Sequence, residues 1–204
     1  MAKYGLDTID IFHDHGVYLP SRTIFLCRSD YLDGEEGDPG VDHVFATKFM
    51  KNLHVLESMS SDPITVILST PGGIEVSGMA IYDAIKSSPC HTTMIVRGEA
   101  SSMGAYILQA ADERLMATHS IMMLHIGSSN GYGLGHKTSA KNWMKFEETY
   151  GKKLDAILKE KIIQKKPEYR GKKFEELMNF DTILSAQEAV DMGLADAVIN
   201  NGEE

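Results

Sequence analysis

Residues 64–105 read ITVILSTPGGIEVSGMAIYDAIKSSPCHTTMIVRGEASSMGA. Ile64–Ser69 is β-branched and apolar, which fits a strand. Thr70-Pro71-Gly72-Gly73 is a tight turn. Beyond it Val76, Ala80 and Ala84, with Ile81 and Ile85, recur at helical spacing and define the inner side of a helix. Ser87-Ser88-Pro89 ends that helix and Thr92–Val96 begins the next strand. Gly98–Gly104 then turns into an apolar helix over Met103–Ala111. Strands alternating with helices need crossover connections, and crossovers pair strands in parallel. The fold class is therefore α/β.

The pattern extends both ways. Leu115–Ala117 and Ile121–His125 read as two more short strands, and Ala197–Ile199 as a last apolar run. Upstream, a polar N-terminal arm leads to a buried strand at Thr23–Cys27. Asp30–Asp42 carries six acidic and no basic residues with three glycines, a surface loop lacking the ligand alternation of a calcium loop. Phe45, Phe49, Leu53 and Leu56 predict an amphipathic helix over roughly Val41–Ser58. After the loop Gly127–Gly135, the residues Trp143, Phe146, Tyr150, Leu154, Ile157 or Leu158, and Ile162 make the stripe of a long helix that ends at Pro167. The repeat at three and four marks packing, most simply against a partner subunit. Ser185–Glu188 is a capping box and Gly193 a helix stop.

Composition bounds the function. A chain of 204 residues fits one domain, and 20 basic against 29 acidic residues give a net charge of −9. That balance argues against nucleic acid, whose phosphates need a basic face. No apolar run reaches the roughly 18 residues of a membrane span. The acidic N-terminus lacks a signal-peptide pattern, so the expected location is the cytoplasm. Cys27 and Cys90, the two cysteines, read as reduced thiols.

Three residues stand at the edges of elements beside turns. Ser102 lies at a strand-to-helix turn with Gly104 two residues on. A serine attacks only when a base takes its proton, and an isolated serine here would ordinarily be a helix N-cap. Ser101 is a rival nucleophile without the following glycine. His125 closes the segment IMMLH and is the best placed of eight histidines to act as base. His13 and His15 lack a third metal ligand nearby. Asp181, read as standing before a helix, is a candidate to orient an imidazole. The Gly72-Gly73 turn can aim backbone N–H groups at an oxyanion, or be ordinary turn chemistry.

Together these segments resemble the Clp protease proteolytic subunit, the caseinolytic peptidase P family. Ser69–Gly73 with Gly78–Asp83 is similar to its S-P-G-G…G-M-x-I-Y-D signature, and Gly98–Ala105 to its G-x-A-A-S-M-G-A nucleophile motif. Met123-Leu124-His125 is similar to its M-I-H segment, and Asp181–Leu194 to its D-x-x-L-S-A-x-E-A…G-L ending. The likeness runs from about Leu19 to Ile199. It implies a ClpP/crotonase-like spiral of β-β-α units in one domain, with a strand-helix handle over about 126–166. It implies Ser102 as nucleophile, His125 as base, Asp181 as its orienter, and an oxyanion hole from the N–H groups of Gly73 and Met103. It further implies a heptamer or tetradecamer enclosing a chamber. Peptides and unfolded polypeptides would be the substrates and an AAA+ unfoldase the partner. No cofactor is expected in the subunit, ATP being used by the partner alone.

The chain departs from the family pattern in places. Glu99 and Ser101 stand where Gln and Ala are commoner, Ile126-Gly127 replaces Gln-Pro, and Asn179-Phe180 replaces an acid–arginine pair. These changes, with the acidic loop, point to a divergent member, bacterial or phage-encoded. Two other readings are weighed against the peptidase. One is a non-catalytic scaffold subunit of a mixed ring; the other is a crotonase-like acyl-CoA hydratase or isomerase, which would need no nucleophilic serine. A phage prohead-type processing protease would share the chemistry.

Overall fold

A computed structural model describes residues 6–27, 40–127 and 137–199. The chain begins with α1 (Leu6–His15), β1 (Val17–Tyr18) and β2 (Thr23–Cys27). The polar arm of the sequence reading is thus a helix. Its Phe12 ring meets Tyr18 and Phe25 edge-on at 5.8 and 5.0 Å. Asp10, His13 and Asp14 on the same turns mask that single anchor in the sequence.

The expected α/β alternation follows: α2 (His43–Met59), β3 (Ile64–Thr70), α3 (Glu75–Ser87), β4 (Thr92–Ser101), α4 (Met103–Leu108), β5 (Glu113–Ala117) and β6 (Ile121–Leu124). The chain then runs through α5 (Lys137–Lys165), α6 (Lys172–Met178), β7 (Thr182–Ser185), α7 (Ala186–Asp191) and β8 (Ala197–Ile199). The strands form one eight-stranded sheet in the order β1-β2-β3-β4-β5-β8, with β6 joined to β4 and β7. From β2 to β8 along that path every pairing is parallel. This agrees with the α/β fold that the resemblance implied.

The long strand β4 organises the site. Thr93–Val96 pairs with β5, whereas Glu99–Ser101 pairs with β6. The expected turn at Gly98–Gly104 is therefore mostly strand, and only Ser102 turns the chain into α4. The glycine misleads because β4 changes partner there instead of ending. Asp181 corrects a second expectation: it precedes the strand β7, not a helix. The capping box at Ser185 is real, but it opens α7 after that strand.

The core lies between the sheet and its helices. Ile64, Val66 and Leu68 of β3 are fully buried, as are Met94 and Val96 of β4, against Leu56 of α2 and Ile81 of α3. Each such side chain stabilises the fold by about 1.5–3 kcal/mol relative to exposure. Val76, expected inside, is exposed, while Ser77 and Gly78 beside it are buried. In α5 the stripe is split: Leu154, Leu158 and Ile162 are buried, but Trp143, Met144 and Phe146 are exposed. Most of the acidic stretch and of the expected handle loop, residues 28–39 and 128–136, lies outside the described residues. The last residues of the acidic stretch are built into the fold. Val41 is buried and bridges Gly73, and the Asp42 side chain caps α2 by accepting from the Phe45 N–H at 2.8 Å. No described helix is long and apolar enough to cross a membrane.

Candidate active site

Ser102 occupies the junction of β4 and α4 with φ 51° and ψ −117°. Arg22 is the other non-glycine residue with positive φ among those described. Such a conformation costs on the order of 1–3 kcal/mol and persists only where the surroundings enforce it. Here the Ser102 N–H donates to the Met123 carbonyl at 2.8 Å, and the Ser102 carbonyl accepts from Ala105 at 3.0 Å. The side chain does not cap α4. Its Oγ lies 2.8 Å from His125 Nε2, so the N-cap reading gives way.

The sheet brings the other two residues in. β6 and β7 are antiparallel with Leu124 opposite Thr182. One step beyond that pair His125 faces Asp181, with 3.4 Å between Nδ1 and Oδ1. Neighbouring bonds fix the pair: Ile126 N–H donates to the Met178 carbonyl at 2.7 Å, and the Thr182 hydroxyl to Leu177 at 2.7 Å. Asp181 is well exposed and its distance is long for a hydrogen bond. Sites without substrate are often loose in this way and tighten on binding.

Ser101 is no rival. It is 3% exposed and its hydroxyl donates to Glu99 at 2.5 Å. The two departures from the family motif thus hold each other, with period-two spacing placing both on one face of β4.

The Gly72-Gly73 turn presses on the start of α4. Gly72 has φ 102°, and a methyl group built on it would lie 2.6 Å from Ser102 Cβ and 3.0 Å from the Met103 nitrogen. Gly73 has φ 143°, and a side chain there would collide with the Val41 backbone. Val41 clamps the turn, donating to the Gly72 carbonyl at 2.6 Å and accepting from Ile74 at 2.7 Å. Met103 is the first residue of α4, so its N–H has no acceptor within the helix. Changing Gly72 to alanine should separate the turn from Ser102. The expected outcome is at least a tenfold loss of kcat/KM, with a melting temperature lowered by a few degrees, read by peptide hydrolysis and calorimetry.

Among the described residues no group of three His, Cys, Asp or Glu is arranged to hold a metal ion. Cys90 is buried and Cys27 half-buried, and neither is in a disulfide. A hydroxyl within hydrogen-bond reach of an imidazole, itself facing a carboxylate, next to backbone N–H groups, is an arrangement able to carry out acyl transfer. It defines the class of serine-type hydrolases, recognised by geometry and not by chain order.

Comparison with known proteins narrows the class. The Clp protease family model matches residues 37–202. The ATP-dependent Clp protease proteolytic subunit 1 of Protochlamydia amoebophila is 33% identical over 201 residues, covering 94% of this chain and 86% of the relative. The proteolytic subunit 2 of Corynebacterium glutamicum is 33% identical over 171 residues, covering 80% and 79%. That of Chlamydia trachomatis is 35% identical over 156 residues, covering 72% and 71%. The chain belongs to the Clp protease family.

Sequence reasoning did not single out Glu75, Tyr106 and Asp155 of α3, α4 and α5, of which Glu75 reaches the backbone just after His125. One signal was available: Glu75 is a carboxylate two residues after the Gly72-Gly73 turn.

Proposed function

We propose that this chain is the peptidase subunit of an ATP-dependent serine endopeptidase. The observation that carries the reading is the 2.8 Å contact between Ser102 Oγ and His125 Nε2. Ser102 attacks the scissile carbonyl while His125 takes its proton, and Asp181 holds the imidazole tautomer and balances its cation. The N–H groups of Gly73 and Met103 receive the oxyanion. The protonated His125 then gives its proton to the leaving amine, and the C–N bond breaks to leave an acyl ester on Ser102. Water, activated by the same imidazole, hydrolyses that ester and restores the hydroxyl.

The subunit itself needs no metal or nucleotide for these steps. ATP enters through an AAA+ unfoldase, a partner consistent with relatives whose names call them ATP-dependent. We place the protein in the cytoplasm, bacterial or, for a phage-encoded chain, that of the host. One chain cannot surround a chamber, so the working form is a heptameric ring, single or paired as a tetradecamer. The exposed Trp143, Met144 and Phe146 of α5 support a contact between subunits. The hydroxyl already seated on an imidazole favours the peptidase over a scaffold or an acyl-CoA hydratase. Mass-resolved measurement of the oligomer, with peptide hydrolysis at the same protein concentration, tests this. Hydrolysis should appear only with species of seven or more subunits, and full activity in a monomer would overturn the assembly.

A further inference from the structure

Beside the proposed triad, carboxylates from separate helices come within electrostatic reach of Glu75. Glu75 begins α3, two residues after Gly73. Its Oε1 occupies the space where a side chain on Gly127 would fall, two residues after His125. Glu75 therefore lies between the oxyanion turn and the histidine loop. Asp155 and Glu147 of α5 are near enough for their charges to act on Glu75, and each, like Glu75, is half-buried.

The carboxylates of α5 bear on Glu75. Burial first, then the charges of Glu147 and Asp155, push the Glu75 carboxyl above its usual range. Burial pushes Asp155 up, and the charge of Lys159 offsets this in part. No described Lys, Arg or His forms a salt bridge with Glu75 or Asp155.

A second observation is independent of the carboxylates. Tyr106 of α4, one turn beyond Ser102, is only 7% exposed. Its hydroxyl makes no hydrogen bond to any described residue, and it is not sealed from solvent. Asp155 and Glu75 are the charges it feels most. A buried hydroxyl left open normally finds a partner. Here solvent reaches the hydroxyl, and the surrounding negative charge favours a cationic donor in its place when substrate binds. An ammonium or guanidinium would satisfy the Tyr106 oxygen and neutralise the carboxylates together.

We infer that Glu75, Asp155 and the Tyr106 hydroxyl form a subsite for a Lys or Arg side chain of the substrate, next to the scissile bond. The inference rests on the peptidase reading. Glu75 stands two residues from one proposed oxyanion donor, so a side chain on the residue supplying the scissile carbonyl lies within reach. A hydrogen-bonded charge pair of this kind shifts selectivity by about tenfold or more when one partner is lost.

The test uses two peptidyl diphenyl phosphonates that differ only in a Lys or Leu side chain at the reactive carbon. The wild-type full chain should react at least tenfold faster with the Lys probe. E75Q should bring the Lys-to-Leu ratio near one, D155N should lower it, and E75D should restore part of it. A helix-capping or purely structural role for Glu75 would slow both probes together and leave the ratio alone. Equal rates in the wild type, or a ratio unchanged in both E75Q and D155N, overturn the inference. An uncharged fluorophosphonate run in parallel separates the failures. If it labels Ser102 while the ratio is flat, only the subsite falls. If it labels nothing, the peptidase reading falls and the subsite with it.

Discussion

Ser102→Ala removes fluorophosphonate labelling and lowers peptide hydrolysis by roughly 10⁴- to 10⁶-fold. The size follows from the geometry. The Ser102 hydroxyl is the one that His125 Nε2 contacts, and the neighbouring Ser101 is committed to Glu99. Among the described residues no second hydroxyl is bonded to His125. His125→Ala should cost about as much, and the double variant little more, because the two act as one unit. Thermal stability separates loss of chemistry from loss of fold. Alanine keeps Cβ at φ 51°, so Ser102→Ala should melt within a degree or two of the wild type. Ser102→Gly relieves the backbone strain and should melt higher, by the equivalent of about 1 kcal/mol. Labelling or hydrolysis that survives Ser102→Ala would remove the nucleophile from the mechanism.

What the sequence showed of this site was a set of separate turns; what joined them was strand pairing. ITVILS and TTMIV are visible because β-branched runs bounded by turn residues have few other fates. Ser102 was visible because Gly104 and the resemblance singled it out. Asp181 was placed before the wrong element. The residues Thr182–Ser185 form a short strand whose pattern is too brief to compete with the capping box behind it. Yet the pairing of Leu124 with Thr182 is what sets His125 opposite Asp181. No local propensity encodes that register, which comes from tertiary pairing at the edge of the sheet. Phe12 likewise acquires its role only once Phe25 and Tyr18 are beside it. Glu75 escaped because a lone carboxylate in the first turn of a helix is usually a favourable end charge. Its meaning depends on Asp155, eighty positions away.

Asp196→Ala should lower stability by about 2–3 kcal/mol, the largest effect expected away from the triad. Arg114 of β5 has a nearly buried side chain. It donates through Nη2 and Nε to the Asp196 carboxylate, and through Nη1 to Gln109 at 2.6 Å and the Gly193 carbonyl at 3.0 Å. The Arg114 N–H also donates to Asp196 at 2.8 Å, and Gln109 donates to Ala105 and Leu194. The network thus ties α4, which carries the nucleophile, to β5 and the turn before β8. Removing Asp196 leaves a guanidinium without its counter-charge, which costs about 3–5 kcal/mol when the pair is fully buried. Asp196 is 41% exposed, so solvent replaces part of what is lost and the lower figure applies. For a chain of this size that is a fall of roughly 4–12 °C in melting temperature. The pH dependence has a definite sign. Burial alone would raise the Asp196 carboxyl, but the hydrogen bonds and charge of Arg114 outweigh it and hold the group below its ordinary 3.8. Its contribution is therefore complete above the unfolded value and is lost as the pH falls through the folded one. Wild type and Asp196→Ala should differ by a constant amount above about pH 5 and converge below about pH 4. A difference that widened in acid, or a melting shift under one degree at neutral pH, would show that this ion pair does not hold the end of the sheet to the nucleophile helix.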